Sequence, residues 1–302
     1  MKRILITGAD SYIGTSFEKW VTEPRFEGQY LVDTVDMRGE AWRQTDFSGY
    51  DTVFHVAGIA HADIGNVTEE QKALYYRVNC DLAVETAKKA KKSGVRQFIY
   101  MSSIIVYGEG TSVRKKRVIT RETKPSPSNF YGDSKWKAEQ KLAPLSDEKK
   151  GGFRVAILRP PMIYGEGCRG NYQKLRRFAL RVPVFPDFPN ERSMLYIGNL
   201  CEFVRKLIEL GEGGLYFPQN REYVKTAEMV RIIAKIHDKR IYLIKCFNPV
   251  LYFFSKNDGR VGRMVNKAFG NLVYDKMLSD DEKRIGDYQI NSLKHSLGLT
   301  EK

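Results

Sequence analysis

Ile4-Leu-Ile-Thr-Gly-Ala-Asp-Ser-Tyr-Ile-Gly14 decides the fold. A short apolar run, a turn opened by Gly8 and a helical pattern from Tyr12 onward read as a strand that feeds directly into a helix. Gly8 lets the turn form, and Gly14 lets helix and strand pack closely. The free N–H groups at the helix start suit the pyrophosphate of a dinucleotide. Ser11 stands where a middle glycine is usual, and its hydroxyl is expected to hydrogen-bond a phosphate. Tyr12 and Ile13 open the helix beside the same ligand.

Outward from this turn, short apolar strands alternate with helices. Strands are predicted at Arg3–Thr7, Leu31–Asp36, Thr52–Ala57, Gln97–Ser102 and Arg154–Arg159. Helices are predicted at Tyr12–Val21, Gln71–Lys92, Ser134–Ala143 and Ile197–Leu210, with a further strand at Gly214–Phe217. Continuous apolar strands separated by helices predict an α/β fold, a Rossmann-type doubly wound parallel sheet. Ligands of such sheets gather at the carboxyl ends of the strands, where all the motifs below fall. After Pro160 the pattern breaks into proline-punctuated loops. Residues 1–159 with 194–217 are expected to form the dinucleotide-binding domain. Residues 160–193 with 218–302 are expected to form a smaller, mixed substrate-binding lid.

Composition narrows the class. An apolar content of 42% supports a sizeable core, and no run of 18 apolar residues predicts a membrane span. With no leader pattern before the first strand, a cytoplasmic location is expected. Cys80, Cys168, Cys201 and Cys246 fit neither zinc nor disulfide spacing, so no metal is expected. The net charge of +14 allows nucleic acid, an anionic membrane surface or an anionic small substrate. No nucleic-acid-binding signature accompanies it, which sets nucleic acid aside. The clusters at Lys88-Lys89, Lys91-Lys92 and Arg114–Arg117 read as solvated faces.

The chemistry is carried by Tyr131-Gly-Asp-Ser-Lys135, which follows Ser103 by 28 residues. Residues four apart share a helix face, and an ammonium near a phenol favours the phenolate. Such a pair suits proton removal from an alcohol. Asp36, 22 residues beyond Gly14, is placed to accept hydrogen bonds from adenosine ribose hydroxyls and to repel a 2′-phosphate. This favours NAD, while nearby Arg38 keeps NADP open. Asp46-Phe47 and the strand end Val56-Ala57-Gly58 lie where the adenine and central phosphates should pass. His61 reads as a loop or packing residue.

These pieces together resemble the extended short-chain dehydrogenase/reductases. Within them the resemblance is to the NAD-dependent epimerase/dehydratase family that acts on nucleotide sugars. The motifs are Thr7-Gly8…Gly14, Asp36, Asp46-Phe47, His55-Val-Ala-Gly58, Asn79, Met101-Ser-Ser-Ile-Ile-Val-Tyr-Gly108, Tyr131-x-x-x-Lys135, Leu158-Arg-Pro-Pro-Met-Ile-Tyr-Gly165 and Arg192-Ser-Met-Leu-Tyr-Ile197. The resemblance implies Tyr131 as acid/base and Lys135 as a ribose ligand that lowers the tyrosine's pKa. It implies Ser103, not Ser102, as the serine on the sugar hydroxyl. Asn79 and Pro160 fall beside the cofactor, and Asn171 and Arg192 hold the substrate's pyrophosphate. A homodimer is likewise implied.

The familiar hexose 4-epimerases read Arg-Tyr-Phe-Asn where this chain reads Arg159-Pro-Pro-Met162, so one sugar contact is missing. The resemblance therefore implies a UDP-hexose or UDP-N-acetylhexosamine 4-epimerase serving surface polysaccharide precursors. A 4-ketoreductase of a UDP-4-keto-6-deoxy sugar is the alternative, and a non-catalytic dinucleotide sensor a third reading. A 4,6-dehydratase fits less well, because Ile104-Ile105 replace an acidic pair after the serine. Lys239–Gly270 stands apart, with seven cations against Asp258 and interleaved aromatics. It reads as a lid whose apolar residues form its own core and whose cations attract the substrate. The alternative is weak attachment to an anionic membrane surface.

Overall fold

A computed structural model of the chain describes residues 1–60, 67–109, 112–147, 149, 151–257, 259–279 and 285–302. His61 and Asp258 lie outside them. Six parallel strands form the central sheet: β1 (Lys2–Thr7), β2 (Tyr30–Val35), β3 (Thr52–His55), β4 (Gln97–Met101), β6 (Arg154–Leu158) and β10 (Gly214–Tyr216). Their spatial order is β10-β6-β4-β3-β1-β2. The chain leaves β1 for β2 on one side and then returns to place β3 on the other. The strand order thus reverses beside β1, and the crevice beyond β1 and β3 is the expected ligand position.

Alternation along each strand builds two separate cores. Ile4 and Ile6 of β1, Ile99 of β4, and Ala156 and Leu158 of β6 face one side, where α1 (Tyr12–Val21) and α6 (Ile197–Leu210) cover them. Leu5, Phe98, Tyr100, Val155 and Ile157 face the other, against α3 (Leu82–Lys92) and α4 (Phe130–Leu142). A sheet apolar on both faces must be covered on both, which explains the three layers.

Boundaries differ from the sequence reading where local chemistry is decisive. The single helix expected at Gln71–Lys92 is α2 (Glu69–Tyr76), a π turn at Arg77–Asp81 and then α3. Thr68 and Gln71 start it with a reciprocal capping box. The helix expected from Ser134 begins four residues earlier, because Asn129 Oδ1 accepts the Gly132 N–H at 2.8 Å. Tyr131 therefore lies in a helical first turn.

Outside the central sheet the chain contains more strand than expected. β7 (Met162–Tyr164) pairs with β9 (Met194–Tyr196), β8 (Val184–Pro186) with β11 (Tyr242–Ile244), and β5 (Arg117–Ile119) with β12 (Leu272–Tyr274), all in parallel. Around them lie α5 (Asn171–Arg181), α7 (Thr226–Ile236), α8 (Asn248–Phe254), α9 (Arg260–Phe269) and α10 (Leu293–Thr300). Among the described residues no helix is long and apolar enough to cross a membrane.

Candidate active site

The glycine turn lies at the carboxyl end of β1. Gly8 has φ +110°, and a Cβ there would meet the Ala57 backbone nitrogen at 2.8 Å. The Gly8 and Ala9 N–H groups are spent on the Val35 carbonyl, and those of Val56 and Ala57 on the Thr7 carbonyl. Ser11 is the N-cap of α1, its Oγ accepting the Gly14 N–H at 3.2 Å. The hydroxyl expected to reach a phosphate thus also has a capping role, accepting through its oxygen, and its O–H and the first N–H groups of α1 are the donors at this end. Tyr12 turns its phenol inward beside Gly165, and its buried oxygen has no hydrogen-bond partner. Ile13 packs against the first core.

Beyond the second strand, Asp36 is exposed and holds Arg38 through both carboxylate oxygens, at 3.0 and 2.9 Å to Nε. That arginine holds the Asp36 carboxyl below its usual range. Asp46 is engaged by Ser48. The Phe47 side chain is fully buried in the second core under Lys89, so only its backbone faces a ligand path. His55 donates or accepts at Thr7 Oγ1 over 2.7 Å and stacks on Phe98 and Tyr100. Burial pulls it to about 3, which keeps it neutral and makes it a packing residue.

Ser103, Tyr131 and Lys135 come from two elements that Gly132 brings together. A Cβ at Gly132 would meet the Ile105 carbonyl oxygen at 2.8 Å, so α4 can close on the turn after β4 only with glycine there. Ser103 caps that turn, its Oγ accepting the Ile105 N–H at 3.3 Å, and its hydroxyl exerts a lowering influence on the Tyr131 phenol. The Pro160 carbonyl accepts the Ile104 N–H at 2.9 Å and fixes the turn from below. Ser102 points the other way, to Glu139.

The buried Lys135 Nζ donates to the Met101 carbonyl at 2.9 Å, and a Cβ at Gly58 would lie 3.2 Å from it. The same Cβ would lie 3.1 Å from Asn79 Oδ1. Gly58, Asn79 and Lys135 thus leave a cradle that any larger residue at 58 would fill. The π turn aims Asn79, whose amide accepts from the Ile59 N–H and donates to Ser134.

The electrostatics differ from the expected lowered phenol. Burial, reinforced by Tyr75, pushes Tyr131 up to about 12, and only the Ser103 hydroxyl opposes it. Desolvation pulls Lys135 down to about 8, against the upward influence of Glu139. The free protein at neutral pH therefore holds a neutral phenol and an ammonium.

One feature is absent from the sequence reading. Glu139, one turn beyond Lys135, forms a buried ion pair with Arg159 at the end of β6. Arg159 also donates to the Tyr107 hydroxyl at 2.6 Å. The signal was available, because Lys135 and Glu139 are four apart on one face and Arg159 ends an apolar strand.

Asn171 is exposed at the start of α5, while Arg192 is half-buried beside β9; no hydrogen bond joins the two. Arg192 bridges Val224 and Leu272 through its backbone, and its guanidinium donates to the Lys267 carbonyl. No carboxylate pairs with it among the described residues. Nor, among them, does any cluster of His, Cys, Asp and Glu form that could hold a metal ion.

A switch-point glycine turn, a lysine cradle and a serine–tyrosine pair at one sheet edge define the short-chain dehydrogenase/reductase class. The chain belongs to the NAD dependent epimerase/dehydratase family, whose model matches residues 4–217. It is 30% identical to a UDP-glucose 4-epimerase of Vibrio cholerae, over 91% of this chain and 87% of that one. It is 31% identical to an N-acetyl-alpha-D-glucosaminyl-diphospho-ditrans,octacis-undecaprenol 4-epimerase of Escherichia coli O157:H7, over 67% of this chain and 62% of that one. The UDP-glucuronic acid 4-epimerase of Bacillus cereus, solved with NAD, shares the fold with a TM-score of 0.72, 18% identity and coverage of 99% and 95%.

Proposed function

We propose that the protein is an NAD-dependent 4-epimerase of a UDP-linked hexose or N-acetylhexosamine. The observation that carries this reading is the cradle that Gly58, Asn79 and Lys135 form; Lys135 lies on the same helix as Tyr131, and Gly132 closes that helix against the turn that Ser103 caps. The α1 N-terminus, Gly8 and the Ala57–Gly58 strand end would hold the dinucleotide, with Asp36 on the adenosine ribose and Lys135 with Asn79 near the other. Bound there, NAD supplies the hydride acceptor and donor for interconverting a secondary alcohol and a ketone.

The chain's own part is proton transfer and positioning. Ser103 would hold the sugar's C4 hydroxyl against Tyr131. The phenol would first give up its own proton, an ionisation that the Lys135 ammonium and the positive charge of bound NAD would favour. The phenolate would then take the hydroxyl's proton and return one after the 4-keto sugar has turned over. The Lys135 ammonium stabilises the phenolate while the proton is away. Arg192, which has no carboxylate partner among the described residues, suits a diphosphate by its planar, charged fork, and Asn171 adds a neutral contact. The diphosphate then stays anchored while the sugar rotates.

The test is a proton NMR time course of the protein with UDP-N-acetylglucosamine and catalytic NAD. A galacto-configured anomeric signal growing to equilibrium is expected. Tyr131→Phe should lose about 10²–10⁴-fold in kcat and keep nucleotide binding. Near-normal turnover in that variant would remove the assignment. No new signal, together with stoichiometric NAD(P)H consumption on a UDP-4-keto-6-deoxy sugar, would favour the ketoreductase reading.

A second reading keeps the sugar and the diphosphate but places them on a polyprenol, as in the Escherichia coli relative's name. It is supported by the hydrogen bond from Arg192 to α9, a helix with exposed apolar side chains. The same time course with a polyprenyl-diphosphate sugar in detergent tests it.

A further inference from the structure

The lid segment expected to form its own apolar core leaves Tyr242, Phe247, Tyr252, Phe253 and Phe254 exposed. α8 contains no buried residue, and Phe253 is 71% exposed. α9 turns Val265 and Phe269 into the core but leaves Val261 exposed and Met264 65% exposed on its other side. Tyr242 and Phe247, which lead into α8, are exposed as well. The two helices are held together, since the Asn266 amide donates to the Ser255 carbonyl at 3.1 Å. Their attachment is firm: Tyr252 packs on Phe188, and Leu251 joins the first core. The outward apolar side chains are therefore presented on an anchored scaffold.

Exposed cations accompany this apolar surface. Lys239, Arg240, Lys245, Lys256 and Lys267 have no ion-pair partner among the described residues. A second copy meeting this face across a twofold axis would bring like charges together. A nucleic-acid backbone would match the cations but leave Phe253 and Met264 without an apolar environment. An anionic lipid bilayer satisfies both, with apolar side chains in the acyl boundary and ammonium groups at the headgroups.

We propose that the α8–α9 hairpin docks the protein on an anionic bilayer surface through Phe253, Met264 and their apolar neighbours, with Lys245 and Lys256 on the lipid headgroups. The Lys267 carbonyl that receives Arg192 belongs to this same hairpin. Docking would thus hold the diphosphate end of the site near the membrane. The inference stands on surface chemistry alone and does not depend on which carrier bears the sugar.

The test is cosedimentation with vesicles of phosphatidylethanolamine and phosphatidylglycerol in equal parts, at low salt, against pure phosphatidylcholine vesicles. The wild-type chain should pellet with the first and stay in solution with the second. F253D/M264D should abolish pelleting. K245Q/K256Q should weaken partitioning about 25-fold, as two cations each contribute about 1 kcal/mol. Both variants should keep wild-type far-UV circular dichroism and wild-type turnover of soluble UDP-sugar, so docking is read separately from catalysis. Wild-type protein left in the supernatant would overturn the proposal. So would equal binding to phosphatidylcholine, pelleting unchanged by either variant, or light scattering that shows a dimer split by F253D/M264D.

Discussion

Lys135 governs the alkaline side of activity. Its ammonium is intact below about 8 and lost above, because burial lowers its pKa from the ordinary lysine value. A reaction that needs this charge should therefore lose kcat/KM as pH rises through about 8. The Glu139 carboxylate raises the lysine, so Glu139→Gln should move that limb to lower pH. A profile flat to alkaline pH in both proteins would remove the role. The variant also breaks the buried pair with Arg159, and loss of one partner of such a pair costs about 3–5 kcal/mol. Its melting temperature should fall accordingly. Asp36 sets a second residue-scale expectation. It engages Arg38 through Nε and Nη2, so Asp36→Ala should release the guanidinium toward a 2′-phosphate and shift the NADP/NAD affinity ratio by about tenfold or more. Competition titrations with the two dinucleotides check it.

At the scale of elements, the turn between β1 and α1 tolerates least. Gly8→Ala places a Cβ against the Ala57 backbone and forces an unfavourable positive φ, a strain of about 1–3 kcal/mol. Since the same contact shapes the cofactor edge, dinucleotide affinity should fall before the fold does. Isothermal titration compared with thermal melting separates the two. This turn, and the strands around it, were legible because glycine spacing and apolar runs are local signals. The α4 start was misplaced although its cap, Asn129 on Gly132, is a local signal; only the close approach of Gly132 to Ile105 depends on a neighbour distant in sequence. The capping bond from Gly14 to Ser11 was not legible, because it exists only once the helix has formed. The expected lowering of the Tyr131 phenol needed one fact that sequence cannot carry, the desolvation of the ring's surroundings in the fold. The lid strands β8 and β11 were missed because three-residue strands paired across some 58 positions leave no periodicity to read.

Across the whole molecule, the sequence divides into a sheet domain and a lid, but the first core does not respect that division. Ile4, Ile99 and Leu158 of the sheet pack in one continuous cluster with Tyr172, Phe188, Val230 and Leu297 of the proposed substrate domain. Two lobes that share one core cannot melt in sequence. Heating should therefore give a single calorimetric transition, with van't Hoff and calorimetric enthalpies in agreement. Two resolved peaks would contradict it. By mass action, dinucleotide bound only at the sheet edge should then raise the melting point of the lid's tryptic cleavage sites as much as that of the sheet's own, so a ligand at one end insures the entire chain against proteolysis.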